Sequence, residues 1–191
     1  MHDTNDDYKK STSHNSLPGG IDRQTMIERI IRVDQAGEYG AQRIYAGQLA
    51  TIKNKSARNK IEEMAEQEKK HLELFNNILI ERKVRPTIFQ PIWYFLGYAL
   101  GASTALAGEK TAMTCTVAVE EAIDEHYAKQ AEMLNDDDDE LKGLILETRE
   151  DEIEHIDIAK QSLTDNQKTL EPLKLLIKKG TKVAIWLSER Y

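Results

Sequence analysis

Four amphipathic stretches of this chain carry glutamate where a helix should bury apolar side chains, and this constrains the fold more than any other feature. Apolar residues recur at steps of three or four from Asp22 onward, the period of an α-helix packed on one face. The first stripe reads Ile27, Ile31, Asp34, Glu38, Ala41, Tyr45, Ile52, and the second Ile61, Met64, Glu68, His71, Phe75, Ile78. The third reads Met113, Val117, Glu120, Asp124, Tyr127, Ala131, and the fourth Leu141, Ile145, Thr148, Glu152, His155, Ala159, Leu163. The pattern predicts helices over Asp22–Ile52, Ser56–Arg82, Lys110–Leu134 and Glu140–Leu163, with Asp22 an N-cap and the Asn135–Asp139 run a turn, one of whose aspartates caps the next helix. Pro172 opens a fifth helix reaching Glu189.

An ionised carboxylate buried without a partner costs several kcal/mol or more. Four of them exceed what a small bundle can absorb. No Lys or Arg lies on the stripes to neutralise them, so the charge must come from bound cations. Glu68-x-x-His71 and Glu152-x-x-His155 are i, i+3 pairs whose side chains reach one point. A lone Glu38 precedes the first pair by 30 residues and a lone Glu120 precedes the second by 32. Twice "Glu, then Glu-x-x-His" is the ligand set of a carboxylate-bridged dinuclear centre in a ferritin-like four-helix bundle. Mixed oxygen and nitrogen donors favour iron or manganese over magnesium or calcium. The expected fold is therefore all-α, two helices, a long apolar crossover and two more helices, with an added C-terminal amphipathic helix.

Gln67 and Asp151 immediately precede the two glutamates of these pairs. Each is placed to accept a hydrogen bond from the free N–H of the opposite histidine and so orient it. Tyr127, seven residues after Glu120, shares its face, where core packing and a redox or proton role are both open. His126 lies off that face and is either a second catalytic candidate or a surface residue. One cysteine, Cys115, excludes a disulfide within the chain and any Cys-based zinc or iron–sulfur site. A net charge of -7 and a pI near 5.3 give no sign of nucleic-acid binding. Residues 1–20 are polar, hold Asp3, Asp6 and Asp7, and have no apolar core. They are expected to be a disordered tail rather than a secretory or mitochondrial leader, with residues 21–191 forming one domain.

Two segments stand apart. Ile92–Ala107 is 16 apolar residues, shorter than the roughly 20 of a spanning helix. Either it is a buried crossover or it lies at a membrane interface, for which Trp93, Tyr94 and Tyr98 are suited. In the last helix Lys174, Lys178 and Lys182 flank an apolar stripe. This is the pattern of a membrane-surface helix, or else of a helix docked on the bundle.

The segments RVDQAGEYGAQRIYAGQ (Arg32–Gln48), QEKKH (Gln67–His71), RPTIFQPIWYFLGYALGASTALAGEK (Arg85–Lys110), TCTVAVEEAIDEHY (Thr114–Tyr127), DEIEH (Asp151–His155) and VAIWLSERY (Val183–Tyr191) closely resemble the demethoxyubiquinone hydroxylase family of ubiquinone biosynthesis. The resemblance implies a monooxygenase with two iron ions per chain, held by Glu38, Glu68, His71, Glu120, Glu152 and His155. Glu68 and Glu152 would bridge, with Glu38 and His71 completing one iron site and Glu120 and His155 the other. It implies hydroxylation of 2-polyprenyl-3-methyl-6-methoxy-1,4-benzoquinol with O2, and a peripheral position on the cytoplasmic side of a bacterial inner membrane. Trp93, Tyr94, Leu96, Tyr98 and Leu100 would guard substrate access, and Lys174, Lys178 and Lys182 would meet anionic lipid. The reductant, a reductase partner and a homo-oligomer are left open. The rival readings are an iron-oxidising or storage relative of ferritin and a lipid-binding scaffold with a vestigial site.

Overall fold

The computed structural model describes residues 21–135, 137–163 and 170–191, so the expected N-terminal tail lies outside the described residues. Six helices follow in order: α1 Arg23–Thr51, α2 Lys55–Glu81, α3 Gln90–Leu106, α4 Glu109–Leu134, α5 Asp139–Gln161 and α6 Glu171–Arg190. Among the described residues there is no strand. The caps explain the boundaries. Asp22 accepts from the Thr25 N–H at α1, Asn54 from Ala57 at α2, and Asp138 from Leu141 at α5. Pro91 and Pro172 sit in the first turns of α3 and α6, where a missing N–H costs nothing.

Short loops make α1 and α2 one hairpin and α4 and α5 another, and together they form the four-helix bundle. The expected crossover is itself a helix. α3 packs along α1, and α6 lies across α4 and α1. The close approach of α3 rests on glycine. A Cβ at Gly101 would collide with the Ile44 carbonyl, one at Gly47 with the Tyr98 carbonyl, and one at Gly97 would sit 3.0 Å from the Arg43 Cβ. The core runs through Ile31, Phe75, Cys115, Leu134, Leu141 and Ile145 at one end and Ala57, Ile61, Met64, Met113 and Ala159 at the other.

The Ile92–Ala107 segment is part buried and part exposed. Gly101, Thr104 and Ala105 are buried against the bundle, while Phe95, Leu96 and Leu106 are exposed. Among the described residues no helix is long and apolar enough to cross a membrane. For α6 the docked alternative holds along its basic stripe. The Lys174 ammonium donates to Glu121 at 3.0 Å, Lys178 to Glu121 and Glu125 at 3.1 and 2.8 Å, and Lys182 to Glu125 at 2.6 Å. The stripe predicted to meet anionic lipid is thus paired in part with α4, which carries two acids one turn apart along the line of contact. α6 also leaves Leu175, Leu176, Val183 and Trp186 exposed, beside Lys179 and Lys182.

Candidate dinuclear metal centre

The bundle interior brings together the six residues selected by periodicity. Glu38, Glu68, Glu120, Glu152 and His155 are essentially inaccessible, and His71 is 6% exposed. Their donor atoms form two overlapping groups, each within 4.8 Å: Glu38, Glu68, His71 and Glu152 in one, and Glu68, Glu120, Glu152 and His155 in the other. Glu68 and Glu152 belong to both.

Histidine orientation is set from behind. His71 Nε2 donates to Asp151 at 2.9 Å, and His155 Nε2 donates to the Gln67 side-chain oxygen at 2.8 Å. Gln67 and Asp151 therefore stand where the sequence placed them. In the neutral ring with Nε2 donating, each Nδ1 would be the atom offered to a metal ion. His71 Nδ1 lies 3.6 Å from both Glu38 and Glu152, and His155 Nδ1 lies 3.1 Å from Glu68 and 3.4 Å from Glu152.

The lone glutamates are held by tyrosines exchanged between helices. Tyr127 on α4 donates to Glu38 on α1 in a short hydrogen bond, and Tyr45 on α1 donates to Glu120 on α4 at 2.7 Å. Tyr45 had been assigned only to the core, although Glu38 to Tyr45 repeats the seven-residue step from Glu120 to Tyr127. A further turn along, Gln130 donates to Asp34 at 2.7 Å and Gln48 to Thr116 at 3.3 Å. His126 stands outside the cluster. Its ring faces Gln130 at 2.9 Å, and burial holds it neutral by pushing its pKa down to about 4.

Buried polar atoms almost always have a partner. Here one oxygen of Glu38, one of Glu120, both of Glu68, both of Glu152 and the Nδ1 atoms of His71 and His155 have none. These atoms divide into two sets of one histidine nitrogen and three carboxylate oxygens, with Glu68 and Glu152 contributing to each. Burial, and then the neighbouring Glu152, push the carboxyl groups of Glu68 and Glu120 well above their ordinary range. Burial also opposes ionisation of Glu152, yet the His155 and His71 rings hold it down to about 2. The same contacts, with Glu38 and Asp151, overcome burial at His71 and raise it to about 11. Each of the two groups could hold a metal ion, whose charge would stand in for the protons these shifts otherwise bind.

A cavity of about 510 Å³ lies between α1, α3, α4 and α6. Gly37 and Ala41, which flank Glu38, and Val119 and Ile123, which flank the helical turn of Glu120, form its inner wall. Trp93, Leu96, Leu100, Leu176 and Ile177 line its outer part. Of the five residues expected to guard access, Trp93, Leu96 and Leu100 line the cavity. Tyr94 and Tyr98 instead pack on the Arg43 guanidinium, at 4.0 and 5.3 Å from the ring centroids. The sequence offered no sign of the cavity, because its floor consists of small residues on the flank of α1.

The family model for ubiquinone biosynthesis protein COQ7 matches residues 25–188. The chain is 46% identical over 182 residues to the 3-demethoxyubiquinol 3-hydroxylase of Rhodospirillum rubrum, covering 95% of this chain and 86% of that protein. It is 49% identical over 171 residues to the mitochondrial NADPH-dependent 3-demethoxyubiquinone 3-hydroxylase of Dictyostelium discoideum, covering 88% and 79% respectively. Against the human protein of the same name the identity is 48% over 168 residues, covering 86% and 77%. With the match running from the first turn of α1 to the last of α6, through every carboxylate and histidine of the centre, the chain belongs to the COQ7 family of ubiquinone biosynthesis proteins.

Proposed function

We propose that the chain is a diiron monooxygenase that hydroxylates the ring of 2-polyprenyl-3-methyl-6-methoxy-1,4-benzoquinol, using O2, in ubiquinone biosynthesis. The observation that carries this reading is the pairing of two features: buried donor groups that could hold metal, and an apolar cavity lined by Gly37 and Ala41 on the α1 turn of Glu38 and by Val119 next to Glu120 on α4. The family and the names of its members supply the reaction class. A ferritin-like storage protein would need the first feature and not the second.

Glu38 and His71 would hold one iron, Glu120 and His155 the other, and Glu68 and Glu152 would bridge them. The ions would supply the activation of O2. The protein supplies the rest. Asp151 and Gln67 fix the histidine rings, Tyr127 and Tyr45 fix the terminal carboxylates, and the apolar wall excludes water from the reacting ring. A polyprenyl tail would leave between α3 and α6, where Phe95, Leu96, Leu176 and Val183 are exposed. Peripheral attachment to the cytoplasmic face of a bacterial inner membrane would use this apolar face, with Trp186, beside the lysines that are paired in part with Glu121 and Glu125.

The decisive experiment is the quinone profile of cells lacking the protein, with and without the wild-type gene and a Glu120→Ala variant. Accumulation of the demethoxy intermediate, reversed by wild type alone, is the expected result. An unchanged profile would overturn the reading. Purified protein should bind two iron ions and consume O2 with a short-tailed quinol.

A further inference from the structure

The two hairpins are related by a near two-fold arrangement of side chains. Glu38, Tyr45 and Gln48 on α1 correspond to Glu120, Tyr127 and Gln130 on α4, each displaced by 82 residues, and Glu68 and His71 correspond to Glu152 and His155, displaced by 84. The hydrogen bonds obey the same relation, as Tyr45 to Glu120 matches Tyr127 to Glu38, and Gln48 to Thr116 matches Gln130 to Asp34. Symmetry breaks at two places around the donors. Behind His71 stands the carboxylate of Asp151, whereas behind His155 stands the amide of Gln67. Asp34 occupies the position one turn before Glu38 that Thr116 occupies before Glu120.

Resting on the dinuclear reading above, we propose that the two half-sites are unequal, the Glu38–His71 half holding its metal ion more tightly than the Glu120–His155 half. Shared ligands cannot discriminate, since Glu68 and Glu152 face both halves. The terminal carboxylates each receive one tyrosine bond, so they cancel as well. What remains is the histidine. A carboxylate accepting the Nε2 proton makes the ring a stronger donor at Nδ1 than an amide oxygen does, and such a partner is worth 10- to 100-fold in metal affinity. Asp34 acts in the same sense or not at all, because a carboxyl group adds negative potential or none. Asp151 is partly exposed, but its 2.9 Å bond to His71 is direct and leaves no room for intervening water.

The test is an anaerobic titration of metal-free, full-length protein with Co(II), followed by calorimetry and visible absorption. Wild type should take up two ions in steps separated by about tenfold or more. Asp151→Asn should weaken the tighter step by 10- to 100-fold and draw the two together, while Gln67→Glu should strengthen the weaker step. His155→Ala should retain the tight step and His71→Ala should lose it. Two equal sites in wild type, constants unmoved by Asp151→Asn, or a tight step that survives His71→Ala would overturn the inference while leaving the dinuclear reading intact. Failure of wild type to bind Co(II) would remove that reading itself. Should Asp151→Asn not fold, as judged by circular dichroism, the isosteric Gln67→Glu decides alone: convergent constants support unequal halves and unchanged constants refute them.

Discussion

Tyr45 and Tyr127 show how much a single hydroxyl carries in a site this dry. Each satisfies one oxygen of a fully buried glutamate, and burial together with the facing acids keeps both phenols protonated, so both can donate. Leaving a buried acceptor unsatisfied costs about 1–3 kcal/mol. Replacing Tyr45 by Phe should therefore destabilise the protein by about that amount in urea unfolding and loosen the Glu120 end of the centre. Gly37 makes the opposite case. A Cβ there meets nothing within 4 Å, since the residue faces the cavity. Gly37→Leu should leave the melting temperature unchanged or raise it, because glycine inside a helix costs about 0.5–1 kcal/mol relative to alanine. The leucine fills the space beside Glu38, and turnover of a ring substrate should fall at least tenfold, as steady-state kinetics with a short-tailed quinol would measure.

At the level of whole helices, α6 is clamped to α4 by charge and to the rest of the molecule by few deeply buried side chains, Ile177 and Ser188 among them. The Lys178 and Lys182 ammoniums hold Glu125 down to about 2, and Lys174 and Lys178 outweigh burial to hold Glu121 below the usual carboxylate range. A depressed carboxylate stabilises above its unfolded pKa and withdraws that support as pH falls through the folded value. The attachment of α6 should therefore weaken between about pH 4.5 and pH 2, visible as faster amide exchange in α6 before the bundle opens. The effect is small because the pairs are partly solvated. Changing Lys174, Lys178 and Lys182 to Glu would set five carboxylates along one contact and detach the helix. Activity on short-tailed and long-tailed quinols should then fall together, since Leu173, Leu176 and Ile177 form a cavity wall.

Across the whole molecule, the buried acids make stability depend on what neutralises them. Glu68 and Glu120, raised well above their ordinary range, and His71, raised to about 11, bind protons more tightly folded than unfolded. Their contribution is full below the unfolded values and disappears as pH climbs. Glu152, held at about 2, has the opposite sign and matters only in strong acid. Metal-free protein should thus lose melting temperature as pH rises above the ordinary carboxyl value of about 4.5, and should go on losing it through the His71 interval from 6.5 to about 11. A bound metal needs the same ligands deprotonated, so the metal-loaded form should not follow. Differential scanning fluorimetry with and without a chelator should show a gap that widens with pH; a gap independent of pH would mean the carboxylates are not neutralised in common.

Helical periodicity and the cost of buried charge were enough to place Glu38, Glu68, His71, Glu120, Glu152 and His155 on interior faces, because both arguments are local: an i, i+3 pair shares a face whatever the helix packs against. The cap at Asp22 was legible for the same reason, while which aspartate of the Asn135–Asp139 run caps α5 was settled only by the structure, as Asp138. Tyr45 was hidden in plain sight, since a tyrosine on an apolar stripe looks like core until the partner of its hydroxyl is known. The fate of Lys174, Lys178 and Lys182 could not be read from their own helix, as a basic stripe is the same pattern whether it meets phosphate or Glu121 and Glu125. Nor could the cavity, whose lining takes Gly37 and Gly40 from α1, Gly97 from α3 and Gly180 from α6, elements distant along the chain. What sequence determined here is which side each residue faces on its own helix; what the tertiary structure decided is which other helix stands opposite, because pairing energies and empty volume arise only between elements distant along the chain.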